Sequence, residues 1–251
     1  VHPYLPFFVH CKFPLTNPNL IMKLISIASS LLLTLIFIPV SVHCQEIGIP
    51  QGWTLIEISE LGSIGIPPTI ELRDDDSFVA LLTDEFRNSL ISRKKIEIIK
   101  PQLTLQPKGT TKLNKDAVSK YSRILITVDK GDQGEFLSNR EVLALTKSEL
   151  DQLNSMYRQS FEADAKKLGE GKLKLLDWET ISVVKINDMA AIRIAYMRQA
   201  MSNPPVYVQT YNFLNYDERI EITLSYRDNE KYLWAEDFET SINSFRYFKK
   251  R

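Results

Sequence analysis

Cysteine and histidine are scarce, and their positions matter more than their number. The chain of 251 residues has two cysteines and three histidines. All five lie at or before position 44: His2, His10, Cys11, His43 and Cys44. From Gln45 onward there is no imidazole and no thiol. For that portion a Ser-His-Asp triad or a Cys-His pair is excluded. So are zinc sites of the Cys/His kind and the usual ligation of copper, haem and iron–sulfur centres. No disulfide can brace it, so stability falls to the hydrophobic core. An excess of one charge sign is missing as well. With 31 Lys+Arg against 31 Asp+Glu, the chain lacks the basic surplus that neutralises phosphates, and no nucleic-acid partner is expected. Glycine and proline are too few, at 9 and 12, for a fibrous or low-complexity chain, and 44% hydrophobic with 25% charged residues is ordinary for a globular domain.

One apolar run stands out. Met22 and Lys23 open a short basic segment, Leu24 to Val42 carries no charge, and Val42-His43-Cys44-Gln45 follows. This is the layout of a secretory signal peptide cleaved between Cys44 and Gln45. Residues 1–21 precede it, rich in Pro and aromatics and unlike it, and are read as an upstream mis-start segment before Met22. Two alternatives stand. The run is long enough to stay as a membrane anchor, or Cys44 is a lipidated first residue, although Ser41 and His43 fit a lipobox poorly. A membrane partner is expected only in those two cases. Residues 1–44 hold two lysines and no acid, so 45–251 carries 29 basic and 31 acidic residues, in a length suited to one domain with a real core.

Within 45–251 the pattern is mixed. Gln45–Pro68 is a glycine-bearing opening, and Ile66–Leu72 turns into a strand. Asp74-Asp75-Asp76-Ser77 reads as a loop capping a helix with Phe78, Leu81, Leu82, Phe86 and Leu90 at helical spacing. Lys95–Leu105, interrupted by Pro101, reads as an edge strand or bulge. Tyr121–Val128 is a strand. Thr146-Lys147-Ser148-Glu149 is a capping box. The stripe Leu150, Leu153, Tyr157, Phe161, Ala165, Leu168 predicts a helix that stops at Gly169. Strands follow at Val183–Ile186, Ile192–Tyr196, Val206–Leu214 and Ile220–Tyr226, with connections short enough for an antiparallel meander. A last helix buries Trp234, Phe238, Ile242 and Phe245. The sum is an α+β fold in which amphipathic helices cover an antiparallel sheet.

Several stretches carry a resemblance: Trp53 with Ile66-Pro67-Pro68-Thr69-Ile70-Glu71, Tyr121-Ser122-Arg123-Ile124, the run Ala191 to Arg198, and Thr223 to Arg227 with Leu233-Trp234 and Ser244-Phe245. Together they resemble secreted Bacteroides-type proteins of the PsbP-like (Mog/PsbP) fold family. The resemblance implies a three-layer α/β/α sandwich around an antiparallel sheet, and a non-catalytic binding or assembly role. It covers most of residues 50–248, on motifs that are mainly structural.

No catalytic residue, metal or cofactor is expected. Asp74–Asp76 lacks the length and distal Glu of a calcium loop. A carboxylate pair for glycan hydrolysis, drawn from Asp74–Asp76, Glu85, Glu135, Asp177 and Glu179, needs a cleft that sequence does not display. The candidate binding residues are Arg193, Arg198, Tyr207, Tyr211 and Arg227, each alternating with an apolar neighbour. If their face is partly open they present aromatic platforms beside guanidinium groups, suited to an envelope protein, a peptide or a glycan. If helices cover it they are packed, satisfied side chains.

Overall fold

In a computed structural model the chain is described over residues 49–73 and 103–248. The signal-peptide reading, the Asp74–Asp76 cap and the helix expected after it, Glu85, and the start of the strand expected from Lys95 lie outside those residues.

The strands are β1 (Thr54–Ile58), β2 (Gly62–Ile66), β3 (Ile70–Leu72), β4 (Leu103–Pro107), β5 (Ser122–Lys130), β6 (Leu173–Trp178), β7 (Ser182–Ile186), β8 (Met189–Ala200), β9 (Val206–Asn215), β10 (Glu218–Arg227) and β11 (Arg246–Tyr247). The helices are α1 (Lys115–Ser119), α2 (Asn139–Leu143), α3 (Lys147–Leu168) and α4 (Lys231–Ser244). Eight strands form one antiparallel sheet in the order β3-β4-β5-β10-β9-β8-β6, with β7 also pairing β8. A second sheet has the order β1-β2-β11. β4 is interior, and the edge is β3.

Tight turns set the meander. Asn187 (φ 53°) and Tyr216 (φ 56°) adopt the left-handed backbone that closes the β7–β8 and β9–β10 hairpins. Asn187 Nδ2 also donates to the carbonyls of Asn243 and Phe245 at 2.9 and 2.7 Å, tying that hairpin to the end of α4. α3 starts at the Thr146–Glu149 capping box and ends at Gly169 (φ 108°), as its sequence predicts.

The two faces of the large sheet are covered differently. α4 and the small sheet cover one, where Ile124, Ile126, Phe213, Ile220, Ile222 and Leu224 pack with Ile58, Ile64, Trp234, Phe238 and Phe245. α2 and α3 cover part of the other, where Ile192, Ile194 and Leu214 pack with Val142, Leu150, Leu153 and Tyr157. Tyr196 stacks on Trp178 at 5.6 Å and meets Phe161 of α3 at 5.1 Å. The result is the mixed helix and antiparallel-sheet class that the pattern implied.

The opening segment is more than a lead-in. Residues 54–66 form the β1–β2 hairpin, which closes the α4-side core. Its glycines allow the chain ends to meet: a Cβ at Gly62 would lie 2.5 Å from the carbonyl oxygen of Arg246, and one at Gly65 would lie 2.9 Å from Ser244 Oγ. Their partners are about 180 residues away in sequence, beyond any local pattern.

Candidate functional site

Antiparallel register places side chains of paired residues on the same face. Arg193 pairs Tyr211, Ala195 pairs Gln209 and Met197 pairs Tyr207. Tyr211 in turn pairs Ile222, and Tyr207 pairs Tyr226. Arg193, Tyr207, Gln209 and Tyr211 therefore project toward the α4 side. Glu179, just past β6, donates its backbone N–H to the carbonyl of Ala195 at 2.9 Å. This brings its carboxylate over the same strands.

These side chains form one hydrogen-bonded chain. Arg193 Nη1 donates to Glu179 Oε2 at 2.8 Å, and Nη2 donates to Tyr207 Oη at 3.2 Å. Tyr207 Oη donates to Glu179 Oε1 at 2.5 Å and accepts from Gln209 Nε2 at 3.0 Å. Tyr211 Oη donates to Gln209 Oε1 at 3.0 Å. The Tyr207 ring lies 5.7 Å from that of Tyr226, which meets Phe238 of α4. The tyrosines anchor the cluster to the core, while the side chains of Arg193 and Glu179 remain 19% and 41% exposed.

Electrostatics follow from the geometry. Burial pushes the Glu179 carboxyl up, but hydrogen bonds from Tyr207 and Arg193 and the guanidinium charge outweigh it and hold the group below its ordinary value. Burial, then the bond to Glu179, raise Tyr207. Tyr211 is raised chiefly by burial, against the opposing charge of Arg193. Arg193 is raised because Glu179 outweighs its desolvation. An ionised, doubly hydrogen-bonded carboxylate is a poor general acid, and Tyr207 Oη is already donor to one group and acceptor of two. The cluster presents guanidinium donors and carboxylate lone pairs together at the surface.

The sequence-predicted residues divide. Arg193, Tyr207 and Tyr211 come together, although Tyr211 is only 7% exposed and acts as support rather than as a platform. Arg198 and Arg227 do not join them. Both pair Val206 and lie on the α3 side. The single face expected for all five is thus corrected to two. Arg198, five residues from Arg193 on β8, shares the parity of Ile192, Ile194 and Tyr196, so alternation alone sets it on the other face; Arg227 differs because the apolar side of β8 faces α3 and that of β10 faces α4. Gln209 was not singled out, though it shares the parity of Tyr207 and Tyr211. Glu179 was read only as a possible hydrolytic acid; its approach to Arg193 depends on β6 pairing β8 around a register shift between Leu175 and Asp177.

A separate shallow cleft of about 350 Å³ lies between the β3–β4 end, α1 and the start of α4, lined by Thr69, Lys108, Asn114, Lys120, Leu233 and Trp234 among others. Among the described residues no group of three His, Cys, Asp or Glu is placed to hold a metal ion. No helix among them is long and apolar enough to cross a membrane.

No protein-family model matches the chain, and no curated protein matches it. Among solved structures it is similar to cyanobacterial PsbP from Synechocystis, at 10% identity and TM-score 0.47, over 82% of this chain and 97% of that one. It is similar to LpqN of Mycobacterium tuberculosis, described as involved in cell envelope biogenesis, at 10% identity and TM-score 0.39, over 78% and 91%. A Bacteroides thetaiotaomicron protein matches at 11% identity and TM-score 0.37, over 76% of this chain and 46% of its own. Likenesses at this level carry no functional argument. The α+β architecture rests on the strands and helices above.

Proposed function

We propose that residues 45–251 form an exported binding or accessory module of the cell envelope, of the PsbP-like kind, and that it does no chemistry of its own. Its ligand surface is the cluster of Arg193, Glu179 and Tyr207 on β8–β9, backed by Gln209 and Tyr211. One observation carries this reading: a charged, fully hydrogen-bonded network held at the surface on aromatic supports. A preset Arg-carboxylate pair beside a tyrosine edge suits a polar ligand such as a peptide or glycan. Export is supported by the basic start, apolar run and cleavage-like end of residues 22–44. Retention of that segment, or a lipid on Cys44, converts the module to a membrane-attached one.

The test is calorimetric titration with a panel of short acidic peptides and of neutral and acidic oligosaccharides, together with product analysis of the same mixtures. At least one probe is expected to bind unchanged, with R193A weakening it about tenfold or more, as central charged anchors do. Turnover of a glycan that E179Q abolishes would establish a hydrolase instead. Intact-mass measurement of the exported protein checks the start at Gln45.

A further inference from the structure

The cleft between the β3–β4 end, α1 and the start of α4 is built from segments far apart in the chain, and each wall is pinned. It lies at the Ile70–Pro107 end of the β3–β4 pair, away from Leu72 and Leu103. The loop after β4 is held by the Glu71 carboxylate of β3: Oε2 accepts from the Gly109 N–H at 2.9 Å and Oε1 from the Thr111 N–H at 2.8 Å. The Lys108 N–H donates to the carbonyl of Thr69 at 2.8 Å, and that of Asn114 to the carbonyl of Gly109 at 3.0 Å. Thr69 Oγ1 donates to Asp237 Oδ2 of α4 at 3.2 Å, which ties the β3 side to that helix. The cleft of about 350 Å³ is therefore set by the fold itself.

Its lining combines an apolar floor with a charged rim. Pro107, Leu233 and Trp234 supply the floor. The Trp234 N–H already donates to Glu230 Oε2 at 3.2 Å, so the indole adds apolar surface and no free donor. Lys108 comes from the end of β4 and Lys120 from the end of α1. Among the described residues neither has a carboxylate within ion-pair distance. Asp116 is the one acid in the lining, and it stands four residues before Lys120. Yet α1 ends at Ser119 and Lys120 is extended (φ −93°, ψ 157°), so the pairing that a continuous helix would give is not made. Asn114 Oδ1 caps α1, accepting from the N–H groups of Asp116 and Ala117 at 2.9 and 3.4 Å, which leaves its Nδ2 amide to donate elsewhere. Two cations without partners thus stand over an apolar floor, against a single anion.

We infer that this cleft binds a small carboxylic acid with an apolar body, of the arylacetate type. Lys108 and Lys120 take the carboxylate, the Asn114 amide donates to it, and the ring lies on Leu233 and Trp234. Small-molecule sites run from about 300 to 1,000 Å³, so this one seats a single ring more readily than an extended peptide or an oligosaccharide. An acid without an apolar body gains nothing from the floor, and a neutral analogue gains nothing from the rim. The cleft shares no lining residue with the β8–β9 cluster, and either can bind alone.

NMR titration of the purified protein with phenylacetate, at constant ionic strength, tests it. Saturable shifts are expected at Lys108, Asn114 and Leu233 and at the Trp234 indole N–H, with Kd about 1 mM, in keeping with a ligand of few atoms in an open cleft. Phenylacetamide, its neutral analogue, should bind about five- to twentyfold more weakly, and acetate should not saturate. Lys108 and Lys120 are exposed, so K108M and K120M should keep the wild-type Tm. Each should weaken phenylacetate about two- to fivefold, and the double variant about tenfold, while R193A leaves binding unchanged. Absence of saturable shifts up to about 20 mM overturns the inference. So does amide binding as tight as that of the acid, or undiminished binding in the double variant. Inorganic phosphate that saturates the same shifts marks a general anion patch and also overturns it. Binding of an acidic hexapeptide but not of phenylacetate assigns the cleft to a protein partner, with the same consequence.

Discussion

The two faces of the large sheet solve the same covering problem with different materials. Among the described residues the α4-side core joins 21 buried residues from both sheets and α4 into one cluster. Beneath α2 and α3 the buried cluster numbers six of the described residues, ringed by half-buried aromatics and leucines. Among the described residues that face also buries Arg123, Thr127, Asn212, Thr223, Ser225 and Arg227, with Leu125 and Val208 between them. One face is held by apolar contact, and the other shares the load with polar groups that need partners. Stability should therefore be concentrated on the α4 side, and the α3 side should be the more sensitive to loss of a polar partner.

Matched truncations sharpen this contrast most. L224A removes a side chain 2% exposed on the α4 side, and L214A one 1% exposed on the α3 side. Both fall in the range of about 2–5 kcal/mol for buried Leu→Ala, with L224A toward the top, because its cavity opens in the larger of the two clusters. Urea unfolding measures both. Equal costs, or a larger one for L214A, would show that the α3-side cluster is the tighter core and would erase the distinction.

The joint between the small sheet and the chain's end is next in size. A methyl at Gly62 meets the Arg246 carbonyl, a backbone atom that cannot turn aside. G62A is expected to cost about 1–3 kcal/mol by overpacking and to release β11, seen as faster amide exchange at Arg246 and Tyr247. Exchange unchanged at those residues would mean that β11 contributes little to closing the α4-side core. At the start of α3, T146A removes a hydroxyl that accepts from the Glu149 N–H at 3.3 Å and donates to its carboxylate at 2.7 Å. The expected loss is about 0.5–2 kcal/mol by urea unfolding. A smaller loss than that would mark α3 as weakly coupled to the sheet it covers.

How much of this was legible depends on the range of the forces involved. α3 was readable from end to end because its cap, its stripe and its stop lie within 24 consecutive residues. The β7–β8 and β9–β10 hairpins were readable because their turns are local. The β1–β2–β11 sheet was not, since Gly62 has its meaning only once Arg246 returns to it. The candidate site was half legible for the same reason. Alternation exposes Arg193 and Tyr207 as the odd members of apolar strands, but which face they join depends on covering helices distant in sequence. Arg123 gave no signal at all: in Ser122-Arg123-Ile124 it looks like any solvent-facing residue of a strand. Its burial is set by what lies over the sheet.

The smallest expected effect bears on the α4-side cluster itself. Glu179 titrates below its ordinary value near 4.5, because Tyr207 and Arg193 favour its ionised form against the opposing push of burial. A lowered folded-state pKa stabilises the native state above the ordinary value, and the benefit is lost as pH falls through the lowered one. Wild-type stability should thus drop more steeply than that of E179Q between about pH 5 and about pH 3. With the carboxylate 41% exposed, solvent screening limits the difference to about 0–1 kcal/mol. The pair is then a surface feature whose energy is available to a ligand, not committed to the fold. Were E179Q to flatten the acid limb by several kcal/mol instead, the ion pair would be a structural clamp, and the two faces would differ less than their composition suggests.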